Sequence, residues 1–218
     1  MNTDYRTVIR EGTGEVEVKK SRFLSLLCHV TNEDEAEERL KAVKKKYYDA
    51  SHSCSAYILN SDIGKRHSSD DGEPSGTAGK PILDVLSGAG LSDSMIIVTR
   101  YFGGTLLGTG GLVRAYTAAA AEAVKSASVV DVVNATLTEF TVDYVTFPKL
   151  DHLISEMGID RSGTEYLDTV KTGIFLKPSD AGAFYKKLAD MTNGALTESS
   201  ASKKECMYYM NDGVPVIL

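Results

Sequence analysis

Long apolar runs are what this sequence most plainly lacks. None approaches the roughly 18 residues a helix needs to cross a bilayer, so a helical membrane protein is excluded. The opening MNTDYRTVIREG mixes both charge signs and has no signal-peptide apolar region. Cysteine is scarce as well. Cys28, Cys54 and Cys206 are odd in number and widely spaced, which argues against a disulfide framework. They form no C-x₂₋₄-C pair, so no metal site is expected. An excess of positive charge is missing too: the net charge is −6, which gives no support for non-specific nucleic-acid binding, and DNA is not expected as a partner. A cytoplasmic protein without membrane contact is the expectation.

What is present is enough chain, 218 residues, for one large domain or two small ones. Charge divides them. Residues 1–130 carry 16 Lys and Arg against 17 Asp and Glu, whereas residues 131–218 carry 8 against 13. A nucleic-acid surface, if there is one, belongs on the nearly neutral first part. The acidic second part would turn away from RNA or bind a protein partner.

Periodicity supplies the elements. EVEVK and FLSLLCHV, within 14–30, read as two strands, and residues 33–48 as a helix with acids in its first turns and lysines in its last. Its apolar stripe is Ala36, Leu40, Val43 and Tyr47. HSCSAYIL, 52–59, alternates like a strand. Residues 61–80 have no apolar period and read as a long loop, the kind that is functional or disordered. A short helix begins near Pro81. MIIVT, 95–99, is a nearly unbroken apolar strand, hence central and covered on both faces. An alanine-rich helix covers 112–126. From Asp131 the order is β-α-β-β-α-β, the ferredoxin-like arrangement. The fold class is therefore α+β, with domains at 1–130 and 131–218.

Two glycine motifs mislead. GTAGKP (76–81) ends like a phosphate-binding P-loop, but the first glycine of that pattern falls on Pro74 and Pro81 follows Lys80, so no hydroxyl can reach Mg²⁺. GTGGLV (108–113) starts like a dinucleotide fingerprint, but its third glycine position is Val113 and the strand ends eight residues earlier.

The stretch VTRYFGGTLLGTGGLVRAY, 98–116, is different. Five glycines and two arginines lie between a central strand and a helix. Gly110 and Gly111 sit at the helix start, where free N–H groups gather. Arg114 in the first turn opposes the helix dipole at about 0.3–1 kcal/mol, so something negative should lie nearby. Its face, with Thr117, Ala118, Ala121 and Lys125, is expected to be open, opposite Val113, Tyr116, Ala120 and Val124. The bland alternative is that Gly103, Gly104 and the alanines merely allow close packing, with Arg114 paired to Asp70, Asp71 or Glu73. Those three carboxylates in DDGEP read first as a solvated turn and second as Mg²⁺ ligands or arginine partners. His52, at the start of a strand, reads as a structural histidine ahead of a catalytic one.

RHSSDDGEPSGTAGKPILDVL (66–86) with VTRYFGGTLLGTGGLVRAY (98–116) closely resembles the signature of the YigZ/IMPACT family, and SRFLS (21–25) and SHSCSAY (51–57) also match. Ser68-Ser69 stands where the family has one serine, which implies a loop one residue longer. The resemblance implies a first domain with the fold of a small-subunit ribosomal protein and of domain IV of elongation factor G. It implies a ferredoxin-like second domain like the last domain of that factor. Eukaryotic relatives act as translational regulators, competing for a scaffold that activates a stress kinase. They do so with a further N-terminal partner-binding domain that this sequence does not show, and that activity is not carried over.

The leading expectation is a translation-linked binding protein rather than an enzyme, without a cofactor. Arg100, Arg114 and Lys80 would meet phosphates of ribosomal or structured RNA, assisted by backbone N–H groups from Gly103, Gly104, Gly110 and Gly111. The alternative is a Mg²⁺-dependent enzyme acting on a small phosphorylated or nucleotide substrate, with Asp70, Asp71 and Glu73 at the metal and His52 assisting. No nucleophile–base pair stands at diagnostic spacing, so no catalytic residue is assigned.

Overall fold

Two stretches of chain build separate cores. In the computed structural model, which describes residues 4–60 and 65–218, one unit comprises residues 5–130 and the other residues 131–218 with Asp4. The first runs β1 (Tyr5–Arg10), β2 (Gly12–Val18), β3 (Ser21–His29), α1 (Glu33–Lys46), β4 (His52–Leu59), β5 (Lys65–Ser69), α2 (Gly79–Gly88), β6 (Ser94–Tyr101) and α3 (Thr109–Ser126). Five of its strands pair antiparallel in the order β2-β3-β6-β4-β5, so β6 is central.

Side chains alternate across a strand, and here both faces are covered. Ile96 and Val98 of β6 join Phe23, Cys54 and Ala56 in a core closed by α2 and α3. Met95 and Ile97 pack instead with Cys28, Tyr57 and Leu59 under Ala36 and Val43 of α1, with Leu40 and Tyr47 alongside. Asn32 caps α1 by accepting from the Glu35 N–H at 2.9 Å, and the acidic first turn and basic last turn both complement the dipole. The alanine face of α3 lies close on the sheet: Ser25 Oγ donates to the Ala119 carbonyl at 2.6 Å, and Tyr116 meets Phe23 edge-on at 5.1 Å.

Three expectations need correction. Residues 65–69, read as loop, are β5, paired to β4 from Ser55↔Ser69 to Leu59↔Lys65. This edge strand is held by backbone hydrogen bonds and its residues are mostly exposed, so no apolar alternation marks it. Residues 61–64 of that loop lie outside the described residues. The α3 helix starts at Thr109 rather than 112, so Arg114 falls in the second turn, where the dipole penalty has faded. Val113 is 37% exposed; the buried stripe runs Leu112, Ala115, Tyr116, Ala119, Ala120, Ala123.

The second unit comprises β7 (Ser128–Val142), α4 (Phe147–Glu156), β8 (Arg161–Tyr166), β9 (Val170–Leu176), α5 (Pro178–Met191), β10 (Ser202–Asn211) and β11 (Val214–Ile217). Its strands pair antiparallel in the order β11-β10-β7-β9-β8. Phe140 and Val142 of β7 and Ile174 and Leu176 of β9 pack with Leu150 and Ile154 of α4 and Phe184 and Leu188 of α5. The sequence reading passed over β11. Asp212 and Gly213, with φ of 50° and 80°, turn the chain between the paired Asn211 and Val214, and Asp-Gly is a strong hairpin signal.

Candidate functional site

The carboxylates of the 70–73 loop face inward. Asp70 Oδ1 accepts from the backbone N–H groups of Ala78 (3.0 Å) and Gly79 (2.8 Å), and Oδ2 accepts from Gly76 (2.8 Å). Burial pushes the Asp70 carboxyl up, but those three donors outweigh it and hold it below the usual carboxylate range. Asp71 Oδ2 accepts from the Ser53 N–H and Oδ1 from Lys44 Nζ, both at 2.6 Å. The Asp71 carbonyl lies 2.7 Å from His52 Nδ1. A carbonyl only accepts, so His52 carries a proton on Nδ1. His52 thus acts as a strut for the loop.

Glu73 is the centre of this cluster. Its Oε1 accepts from Arg100 Nη1 at 2.7 Å and from the Tyr116 hydroxyl at 2.8 Å. Cys54 Sγ lies 3.4 Å from that hydroxyl and 3.0 Å from the Asp70 carbonyl. Burial pushes the Cys54 thiol up to about 12, and burial followed by the neighbouring Cys54 and Glu73 raises the Tyr116 hydroxyl. Neither ionises near neutral pH, so neither supplies a nucleophile. Among the described residues, no group of three or more His, Cys, Asp or Glu could hold a metal ion.

The two arginines part company. Arg100 is 6% exposed, and its Cζ lies 5.5 Å from the ring centres of both Phe23 and Phe102. Its Nε is buried and has no hydrogen-bond partner among the described residues. The loop carboxylate pairs with Arg100, then, and not with Arg114. Period-2 alternation explains why: Arg100 follows Ile96 and Val98 on the face that α2 and α3 cover. This burial turns Arg100 away from any phosphate contact. Lys80 is exposed and pairs with Asp84 one turn along α2. Arg114 is exposed and, among the described residues, its side chain makes no ion pair or hydrogen bond. It lines a pocket of about 330 Å³ with Val18, Lys19, Leu107, Gly111, Ala115 and Ala118, and among the described residues no carboxylate lines that pocket.

The glycines divide in the same way. A Cβ on Gly103 would come within 2.1 Å of the Lys20 backbone, and the Gly103 N–H donates to Ser21 Oγ at 3.0 Å. This glycine clamps the loop to the β2–β3 turn. Gly104 has open space around it, as does Gly110. Gly110 and Gly111 lie in the first turn of α3, which has no side-chain cap and no acidic residue.

Three exposed residues escaped the sequence reading: Lys19, Lys20 and Phe102. Lys19 and Lys20 are the whole turn between the paired Val18 and Ser21, with φ of 47° and 65°. A two-residue turn with both φ positive favours Asn-Gly, not two lysines. Such a pair at a hairpin tip was the available signal. Phe102 is 49% exposed with its ring over Arg100.

Comparison with known proteins agrees with this organisation. The Impact N-terminal domain matches residues 19–124, and a domain of unknown function (DUF1949) matches residues 140–195. IMPACT family member YvyE of Bacillus subtilis is 36% identical over 190 residues, covering 87% of this chain and 88% of that protein. IMPACT family member YigZ of Escherichia coli is 35% identical over 184 residues, covering 83% and 89%. A crystal structure of an hypothetical protein, 30% identical, superposes with a TM-score of 0.58 over 93% of this chain and 97% of that one. The molecule is a two-domain mixed helix–sheet protein whose glycine loop is braced by a buried Arg–Glu pair. It belongs to the IMPACT family.

Proposed function

We propose that this protein is a translation-linked binding protein that contacts ribosomal or structured RNA through the exposed part of the 100–114 loop and the β2–β3 turn beside it. The observation that carries this reading is the pocket holding Arg114 and Lys19 without a carboxylate, beside the uncapped start of α3. Cations with no internal partner suit phosphate oxygens, and free helix N–H groups add to them. Family membership favours a translation role. The strand order β10-β7-β9-β8 supports a ferredoxin-like second unit, and the first unit is assigned the ribosomal-protein and elongation factor G domain IV fold on the family resemblance alone. Arg100 braces the loop from inside, and the phosphate contacts fall to Arg114, Lys19 and Lys20.

Co-sedimentation with ribosomal particles over a salt series tests this. Binding that falls steeply with salt, and is weakened in a folded Lys19→Ala/Arg114→Ala variant, is the expected result. Absence of co-sedimentation even at low salt would remove ribosomal particles as the partner.

A further inference from the structure

Phe102 is an anomaly the phosphate reading does not use. It follows β6 directly and leaves the core to stand 49% exposed. Its position is nonetheless fixed. The buried Arg100 guanidinium lies under its ring, its N–H donates to Ser51 Oγ at 3.3 Å, and the next residue, Gly103, is locked against Lys20 and Ser21. An aromatic ring held on one face by a cation and open on the other is a rigid, half-wet stacking surface. Arg100 is itself pinned by Glu73, so the support does not move with the ring.

The backbone beside the ring meets a cationic turn. Gly103 joins Phe102 to the Lys19-Lys20 turn, and Lys19 opens onto the pocket shared with Arg114. The turn itself is held in a conformation that lysine disfavours, with two positive φ values in succession. Strained backbone of this kind clusters at functional sites. Turn chemistry would place Asn-Gly there; charge is what two lysines add.

We infer that Phe102 is a stacking platform for one unpaired base of a single-stranded RNA segment, whose flanking phosphates lie against Lys19, Lys20 and Arg114. This rests on the RNA-binding reading above and narrows its ligand from structured RNA in general to an unpaired nucleotide within it. Base-paired nucleotides present no free face to the ring, so a perfect duplex forfeits the stack. Sequence preference is weak, because every base has a π-face.

The test uses fluorescence anisotropy with a 12-nucleotide single-stranded RNA and with its perfect duplex. The protein is compared with Phe102→Leu, Phe102→Trp and Lys19→Ala/Lys20→Ala/Arg114→Ala, each checked by thermal melting. Tighter binding of the single strand, a loss of about tenfold in Phe102→Leu for the single strand alone, and recovery in Phe102→Trp are expected, since one aromatic–base stack is worth about 1–3 kcal/mol. If Phe102→Leu binds the single strand as the parent does while the triple variant fails, the stack is overturned and the RNA reading stands. If neither RNA form binds at low salt, both fall.

Discussion

Arg100 Nη1 donates to Glu73 Oε1 at 2.7 Å, and both side chains are less than a tenth exposed. This pair ties the strand that leads into the glycine loop to the carboxylate loop beside it. Leaving one member alone strands a buried charge. Arg100→Leu or Glu73→Gln should each destabilise the fold by about 3–5 kcal/mol. The double variant Glu73→Gln/Arg100→Leu should lose much less than the sum. Urea unfolding of the four proteins measures this, and additive losses would show that the two groups do not act as a pair.

Asp70 gives the fold an acid-sensitive clasp. Burial raises its carboxyl, but the N–H groups of Gly76, Gly79 and Ala78 hold it below the ordinary value of 3.8. A carboxylate depressed in the folded state contributes stability above its unfolded value and loses it as pH falls through the folded one. Replacement by Asn should cost about 2–3 kcal/mol at neutral pH, a gap that shrinks once pH drops below 3.8. Denaturant titrations from pH 7 to pH 3 give the sign directly; a gap that widens toward acid contradicts the clasp.

The thiols should separate by burial. Cys28 and Cys54 are fully buried, and burial pushes them up to about 11 and about 12, while Cys206 is only half-buried. A colourless aromatic disulfide reagent at pH 8 should therefore titrate one thiol in the native protein and three after denaturation. Rapid native reaction of Cys54 would mean that the Glu73 cluster is open to solvent.

Lys19 and Lys20 set stability against charge. Replacing them with Asn and Gly, which suit two positive φ values, should raise stability by about 1 kcal/mol or more. The same change removes two cations and should weaken RNA binding. A variant that is more stable and binds equally well would leave the lysines without a role.

Much of this was legible in the sequence, and what was not has physical causes. Strands β3, β4 and β6 and helix α1 announced themselves because each buries a regular apolar stripe. Strand β5 did not, since Lys65 to Ser68 face solvent and only the backbone pairs. The sequence brought the 70–73 carboxylates and the arginines together but not the right partners. Which arginine meets Glu73 depends on strand parity and on α3 starting at Thr109, and both needed the fold. Phe102 drew no notice in the sequence; only its exposure distinguishes it.

The most direct measurement is the salt dependence of RNA affinity for the protein and for Lys19→Ala/Arg114→Ala. Each phosphate contact contributes about 0.7–0.9 to the slope of log K against log salt. Removing two cations should flatten the slope by about 1.4–1.8 while the melting temperature stays within a few degrees. An unchanged slope would contradict the assignment of this pocket to RNA phosphates.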